Sequence, residues 1–533
     1  MAETKHRVEE RTGRAAFLVG AGILLSRIAG LFRQSVFAHF FGNSAIAGAF
    51  QAAFRIPNVL QNLFGEGVLS ASFIPEYAAL LASGRQDEAD EVAVAVGAAL
   101  ALVSAIIVVI GVFSAPLLVD IFASGFPPEL RPLTIELVQI LFPGAALLVC
   151  SAWCLGVLNS HRKFLMSYSA PLAWNAAMIG ALVYYGPSHT PARLAVILAW
   201  ASIVGSAAQF AVQLPAVIRL SGRLRRTVEY KHEAVRRVFR NFLPAFMSRG
   251  VVQLSTYIDL MIAGALGAAA STAVSGLSYA QTLYMLPGSL FGMAVTAAEL
   301  PAMASVTGDQ GTVHAKLRDR LNAGMARIAF YIVPSVVAFL ALGDVIIGGI
   351  LQTGRFKAAD TVYVWYILAG STVGLLASTL GRLDSSTYFA LRDSRTPMRF
   401  AILRIALTTV LGYICALKVP VWLGVDLKYG AVGLAASAGV AGWIEFILLR
   451  RGLTRKIGRT GLIPSYVVML WLAALPAAGI AWEVKRHLPP LRPAYVALIV
   501  LPVYGIIYLG LSVALRVPES TLLIGRIRRK VAG

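Results

Sequence analysis

The sequence predicts an all-α polytopic membrane protein with about fourteen transmembrane helices. Of its 533 residues, 58% are apolar and only 14% are charged, whereas a soluble domain carries about 25% charged residues. Apolar stretches of about 20 residues recur from end to end, each long enough to cross roughly 30 Å of hydrocarbon as a helix. The alternating strands of a transmembrane barrel do not appear in the sequence.

The expected spans are 15–40, 45–81, 92–122, 134–158, 166–185, 194–218, 241–263, 273–305, 328–350, 361–391, 400–417, 430–449, 464–482 and 494–515. The first is too long for a signal peptide and leads into a loop without a small-residue cleavage site. The second, third, eighth and tenth exceed the membrane's needs, so they should tilt, kink or protrude. Pro57, Gly65 and Gly67 interrupt the second, and Pro287, Gly288 and Gly292 interrupt the eighth. A proline frees a backbone carbonyl, which a membrane tolerates beside a neighbouring helix or a wet cavity. Those breaks serve either packing, as kinks, or alternating access, as hinges. Cys150 and Cys154 in the fourth span and Cys415 in the eleventh are an odd number of thiols buried in apolar helices, which argues against a disulfide framework. No histidine accompanies the first pair, and all seven histidines fall in loops or at span ends, so no metal site is expected.

The net charge of +21 is distributed as a membrane protein distributes it. The N-terminus, the C-terminus and the loops on their side carry 32 Lys and Arg, and the opposite loops carry 9. This asymmetry puts both termini in the cytoplasm. The most basic piece, "RLSGRLRRTVEYKHEAVRR" (Arg219–Arg237), reads as a topology determinant touching anionic lipid rather than nucleic acid.

Six basic residues remain inside spans, all arginine: Arg27, Arg33, Arg55, Arg249, Arg382 and Arg404. A charge at the centre of a spanning helix costs about 2.5–3.5 kcal/mol on insertion scales, so it calls for a reason. Arg404 lies about one turn beyond Arg399 and can snorkel. Arg27 sits about 18 Å into the first span, Arg33 about 9 Å further, and Arg55 at comparable depth in the second. The acids within spans include Glu66, Asp259, Glu299, Asp384 and Glu445. Two readings stand: an interhelical salt-bridge network, or a cationic cavity for an anion. Arginine suits a phosphate because its planar fork donates two parallel hydrogen bonds.

A weak repeat organises the chain. The second span carries "RIPN", "LFGEG" and "FIPEYA"; the eighth carries "LPGS", "LFGMA" and "LPAMA". Each copy lies near the start of a six-span block, which predicts two parallel lobes with a binding site between them. The expected divisions are 1–230, 231–455 and a two-helix addition, 456–533. There is no Walker A sequence, GxSxG elbow, HExxH or paired-carboxylate motif, so neither an enzyme nor a cofactor is expected.

At "SRIAGLFRQSVFAHFFG" (Ser26–Gly42) and "AFRIPNVLQNLFGEGVLSASFIPEY" the sequence resembles the MurJ (MviN) family of lipid II flippases, and the likeness continues in "LQTGRFKAAD" and "YFALRDSRTPMRFA". The resemblance implies two six-helix lobes in a V around a cationic cavity, with the last two helices forming a groove for a lipid tail. It implies that Arg27, Arg33 and Arg55, with Arg249 as a substitute, bind the pyrophosphate of an undecaprenyl-linked saccharide. It places Pro57, Asn58, Gly65, Glu66, Gly67, Pro287 and Gly288 at the cavity and its hinges, and makes Asp259 a candidate cation site. Gln61 and Thr282 stand where relatives carry arginines, Gly48 stands for an aspartate, and the eleventh span lacks an Asn or Asp to complete a sodium site. The expected partners are lipid II or a related polyprenyl-pyrophosphate saccharide, membrane lipids and peptidoglycan synthesis proteins, in a bacterial plasma (inner) membrane. The competing expectations are a flippase for another polyprenyl-linked oligosaccharide and a non-transporting scaffold of the wall machinery. A drug exporter of cations fits poorly, because excess arginine repels its substrates.

Overall fold

The computed structural model describes residues 24–221, 233–292 and 309–521, together with the single positions 22, 295, 296, 299 and 303. Every regular element among the described residues is helical. They form two compact units, the first ending at Ser275 and the second beginning at Gly276.

In the first unit, α1 (24–41) leads to α2 (Ala45–Arg55). The Ser44 hydroxyl caps α2, accepting from the Ala47 N–H at 3.2 Å, which satisfies one of the open donors of a first turn. Pro57 then ends the helix, and the chain continues as α3 (Asn58–Phe64) and α4 (Glu66–Ala82). Gly65 makes the second break: a Cβ there would meet the Gln61 carbonyl oxygen at 2.1 Å. The second expected span is therefore three short helices.

The next elements are α5 (Gln86–Phe113), α6 (Ala115–Phe122), α7 (Arg131–Ser160), α8 (Phe164–Ser169), α9 (Pro171–Tyr185), α10 (Pro191–Leu220) and α11 (Glu233–Gly264). Helix α5 turns Leu102, Ile106, Val109 and Phe113 outward, the last 82% exposed, which is the pattern of a lipid-facing surface. Helix α7 lies at the centre, packed against α2, α3, α4, α5 and α10. Polar side chains tie it to α10: Ser151 Oγ donates to Gln213 Oε1 at 2.8 Å and accepts from Gln209 Nε2 at 2.9 Å. Such bonds hold membrane helices where apolar burial offers no preference over lipid. Helix α11 packs on α3 and α4, with Phe64 against Phe242 and Phe246, so the seventh expected span belongs to this unit.

The boundary falls inside α12 (Ala270–Pro287), which runs into a π-helical turn at Gly288–Gly292. The second unit continues as α13 (Gln310–Ala341), α14 (Gly343–Leu351), α15 (Ala358–Thr372), α16 (Leu375–Ala390), α17 (Arg395–Tyr413), α18 (Val419–Leu423), α19 (Gly430–Ile457), α20 (Pro464–His487) and α21 (Pro493–Ala514). Pro334 inside α13 has no N–H, so the Phe330 carbonyl one turn back loses its helical partner. Tyr508 of α21 supplies one, donating to the Phe330 oxygen at 2.7 Å, and Tyr504 donates to the Pro334 oxygen at 2.7 Å.

Nine helices among the described residues are long and apolar enough to cross a membrane, ten if the pair 253–264 and 267–292, bent by 120°, is one span. The expectation of about fourteen differs for physical reasons. The first span begins outside the described residues, the second is cut at Pro57 and Gly65, and the fifth is cut between α8 and α9.

Candidate anion site

Arg33 lies on α1, half-buried, and its charge meets no carboxylate among the described residues. Its Nε donates to Asn175 Oδ1 of α9 at 3.1 Å. Its guanidinium lies over the Trp174 ring, 4.9 Å from the centroid, a favourable position for a cation on an aromatic face. Both partners are themselves held. Asn175 Nδ2 donates to the Pro171 carbonyl at 2.9 Å, and Trp174 Nε1 donates to Ser202 Oγ of α10 at 3.2 Å. The Asn175 amide is thereby oriented oxygen-first toward the arginine.

The same Trp174 packs on Phe54, with ring centroids 5.8 Å apart. Phe54, Pro57, Asn58 and Ser202, with Leu141, Gly144, Ala145 and Leu148 of α7, line a small, mainly apolar pocket open at one side. The break at Pro57 thus opens beside the aromatic stack that carries Arg33.

Arg55 ends α2 next to this cavity. Its carbonyl accepts from the Tyr257 hydroxyl of α11 at 2.9 Å, a bond available because the helix stops there. Its guanidinium is within electrostatic reach of Asp259, two residues along α11. Asn62 Nδ2 of α3 reaches Gln253 Oε1 of α11 at 3.0 Å. A helical break, an arginine, an acid and a tyrosine therefore meet where α2, α3 and α11 touch.

The other expected residues are placed as follows. Arg27 is exposed on α1, and six residues turn it roughly 120° away from Arg33. Glu66 opens α4 and Arg249 lies within α11, but their side chains are outside the described residues. Gly65 and Gly67 lie at the break and the start of α4, while Pro287 and Gly288 belong to the second unit at its π turn. Thr282 donates to the Ser278 carbonyl of its own helix at 2.9 Å. Arg382 is exposed, and Arg404 pairs with Glu445 at 3.0 Å, so an ion pair accounts for it rather than reach to headgroups. No cluster of His, Cys, Asp and Glu among the described residues could hold a metal.

Asn175, Trp174, Ser202 and Tyr257 were not singled out from the sequence. An amide inside an apolar span was the available signal for Asn175, since such a group must find a partner.

A family model described as "Lipid II flippase MurJ" matches residues 37–500. A relative from Burkholderia cenocepacia named lipid II flippase MurJ is 32% identical over 480 residues, covering 88% of this chain and 89% of its own. A Vibrio cholerae relative named probable lipid II flippase MurJ is 26% identical, covering 90% of this chain and 93% of its own. Among solved structures, one described as lipid II flippase MurJ in an inward closed conformation has a TM-score of 0.77 at 24% identity, covering 94% of this chain and 99% of that one. An inward-facing multidrug transporter of the MOP superfamily has a TM-score of 0.60 at 18% identity, covering 82% of this chain and 98% of its own, a likeness of fold.

Proposed function

The chain belongs to the lipid II flippase MurJ family, and from that premise we propose that it carries lipid II from the inner to the outer leaflet by alternating access, supporting wall synthesis. One observation supports the chemistry: Arg33 is held by a neutral amide and an aromatic ring rather than by a carboxylate. Placing a cation inside an apolar helix is costly, and a salt bridge would recover that cost while cancelling the charge. Here the charge is oriented and kept. The bond to Asn175 uses Nε, which leaves both Nη groups for an incoming diphosphate.

Arg33 then anchors the pyrophosphate, Arg55 adds charge at the mouth of the Pro57 break, and Arg27 and Arg249 complete the cationic set. Pro57, Gly65 and Gly67 let the second span bend while the saccharide passes, and Pro287 and Gly288 do the same in the eighth. Asp259 is the candidate cation site, in competition with Arg55. The chain sits in a bacterium's inner membrane with both termini on the cytoplasmic side. Residues 1–230 and 231–455 act as the two lobes, although α11 packs with the first unit, and 456–533 receives the lipid tail. Peptidoglycan synthases that consume lipid II on the outer leaflet are the protein partners.

The test is complementation of a strain depleted of its lipid II flippase, with outer-leaflet lipid II measured directly. Wild type restores growth. Arg33→Ala abolishes it at normal expression, because removing one partner of a desolvated charge pair costs about 2–5 kcal/mol. Arg33→Lys, which lacks the fork, restores little. Full rescue by Arg33→Ala would remove the assignment of this residue. A wild type that leaves lipid II on the inner leaflet while flipping another polyprenyl-linked oligosaccharide would redirect the substrate.

A further inference from the structure

Of the acids expected within spans, Glu299, Asp384 and Glu445 lie in the second unit, and two of these three are paired among the described residues. In the second unit, Glu299 pairs with Arg327 at 2.8 Å and with Arg320 at 3.4 Å, and Glu445 pairs with Arg404. Asp384 of α16 is 0% exposed, and neither carboxylate oxygen has a hydrogen-bond partner among the described residues. Its neighbours along the helix turn their hydroxyls elsewhere. Ser386 donates to the Arg382 carbonyl, Thr387 to the Leu383 carbonyl, and Tyr388 to the Leu449 carbonyl of α19.

An ionised carboxylate in such a place would carry a prohibitive desolvation cost, and the same group with a proton carries a far smaller one. The charged groups on the packed elements are mostly committed. Arg320 and Arg327 of α13 are on Glu299, Arg404 of α17 is on Glu445, and Lys456 of α19 is on Asp393. Arg450 of α19 lies within electrostatic reach of Asp384, but its Nε is given to the Thr460 carbonyl at 3.1 Å. Asp384 stands six residues before the end of α16 at Ala390, about 9 Å along the axis, so a modest separation of α16 from α19 brings it to water.

We propose that Asp384 is a proton-binding site of the second unit, occupied in this packing and emptied when α16 and α19 part. In that step the carboxyl O–H bond breaks and its electron pair stays on the carboxylate. The proton passes to an entering water, and Arg450 is at hand to pair with the new charge. The site lies in a different unit from Arg33; proton binding there stands on the burial of Asp384 alone, and its response to a polyprenyl pyrophosphate rests on the proposed function.

The experiment is infrared difference spectroscopy of the full-length protein in phosphatidylethanolamine–phosphatidylglycerol vesicles. Wild type shows a protonated-carboxyl C=O band that shifts in heavy water and is lost in Asp384→Asn. Adding undecaprenyl pyrophosphate changes its amplitude in the wild type alone. A spectrum without such a band, or a band that survives Asp384→Asn, overturns the proposal. If the variant fails to insert, wild type carrying carbon-labelled aspartate decides: no labelled protonated carboxyl overturns it. A purely structural carboxyl would show the band in wild type, yet leave it unmoved by the pyrophosphate, and that result also overturns the proposal. A missing band, or one that survives Asp384→Asn, overturns the proton site and leaves the lipid II reading standing. A protein that binds no undecaprenyl pyrophosphate in calorimetry overturns that reading, and the proton site is then judged on the presence of the band and its loss in Asp384→Asn.

Discussion

Asn175 sets the orientation of Arg33 from 3.1 Å away, so its substitutions separate geometry from charge. Asn175→Asp puts a carboxylate against the guanidinium and cancels the charge offered to a phosphate. We expect at least a tenfold loss of undecaprenyl pyrophosphate binding, or about 1.4 kcal/mol, in a protein that still folds, read by calorimetry in detergent. Asn175→Ala should cost less, because the Trp174 face still holds the cation. Binding equal to wild type in Asn175→Asp would show that the anion does not visit Arg33. The six arginines were legible in the sequence because each violates the apolar pattern of its span. Their partners were not, since Asn175 stands 142 positions away and only the fold brings it near. Arg27 shows the opposite limit: depth along a helix was readable, but the face it points from depends on how α1 packs. Outside the spans, Asp393 is held well below the usual carboxylate range, first by its bond to Lys456 and then by Thr396. A depressed carboxyl contributes stability that is complete above its unfolded value and is lost as pH falls through the folded one. This contact should therefore persist through mildly acidic pH, and melting curves of Asp393→Asn and wild type should converge only at strongly acid pH.

Glycine and proline decide what the second span becomes. At Gly65 the Gln61 carbonyl leaves no room for a Cβ, and at Gly48 an added Cβ would meet the Ser271 carbonyl oxygen of α12 at 1.9 Å. Gly48 therefore accompanies a close approach of α2 to α12, which a side chain in place of this glycine would prevent. Overpacking of this kind typically costs about 1–3 kcal/mol. We expect Gly48→Asp and Gly65→Ala to lower the melting temperature in detergent, and wild-type stability in Gly48→Asp would show that α2 can retreat. At this scale the sequence was informative about where helices break, because Pro57 and Gly65 carry their own backbone chemistry. It was poor at counting helices, because a span cut into pieces by its own glycine and proline keeps the composition of an intact one.

At the scale of the whole molecule, the positive-inside pattern predicts on which side each loop lies. Single cysteines placed in the loop around Arg162 and in the loop around Lys428 should react with an impermeant maleimide from opposite faces, cytoplasmic and external respectively. Labelling of both from one face would overturn the predicted topology, and labelling from the exchanged faces would invert it. The repeat in the sequence pointed to two halves, and the described residues do form two units, yet α11 packs with the first. That grouping depends on ring contacts such as Phe64 with Phe242, which no periodicity announces.

The tyrosines of the final helix carry one more implication. Deleting the last hairpin would strip the Phe330 carbonyl of its donor and leave a bare peptide oxygen in oil, at a cost of several kcal/mol. A chain shortened after α19 should therefore be unstable for a reason unrelated to substrate, and quality-control proteases should clear it from the bilayer. Tyr508→Phe isolates the effect: losing that single hydroxyl should cost about 1–3 kcal/mol, read as a lower melting temperature, with no change if the orphaned carbonyl finds another donor.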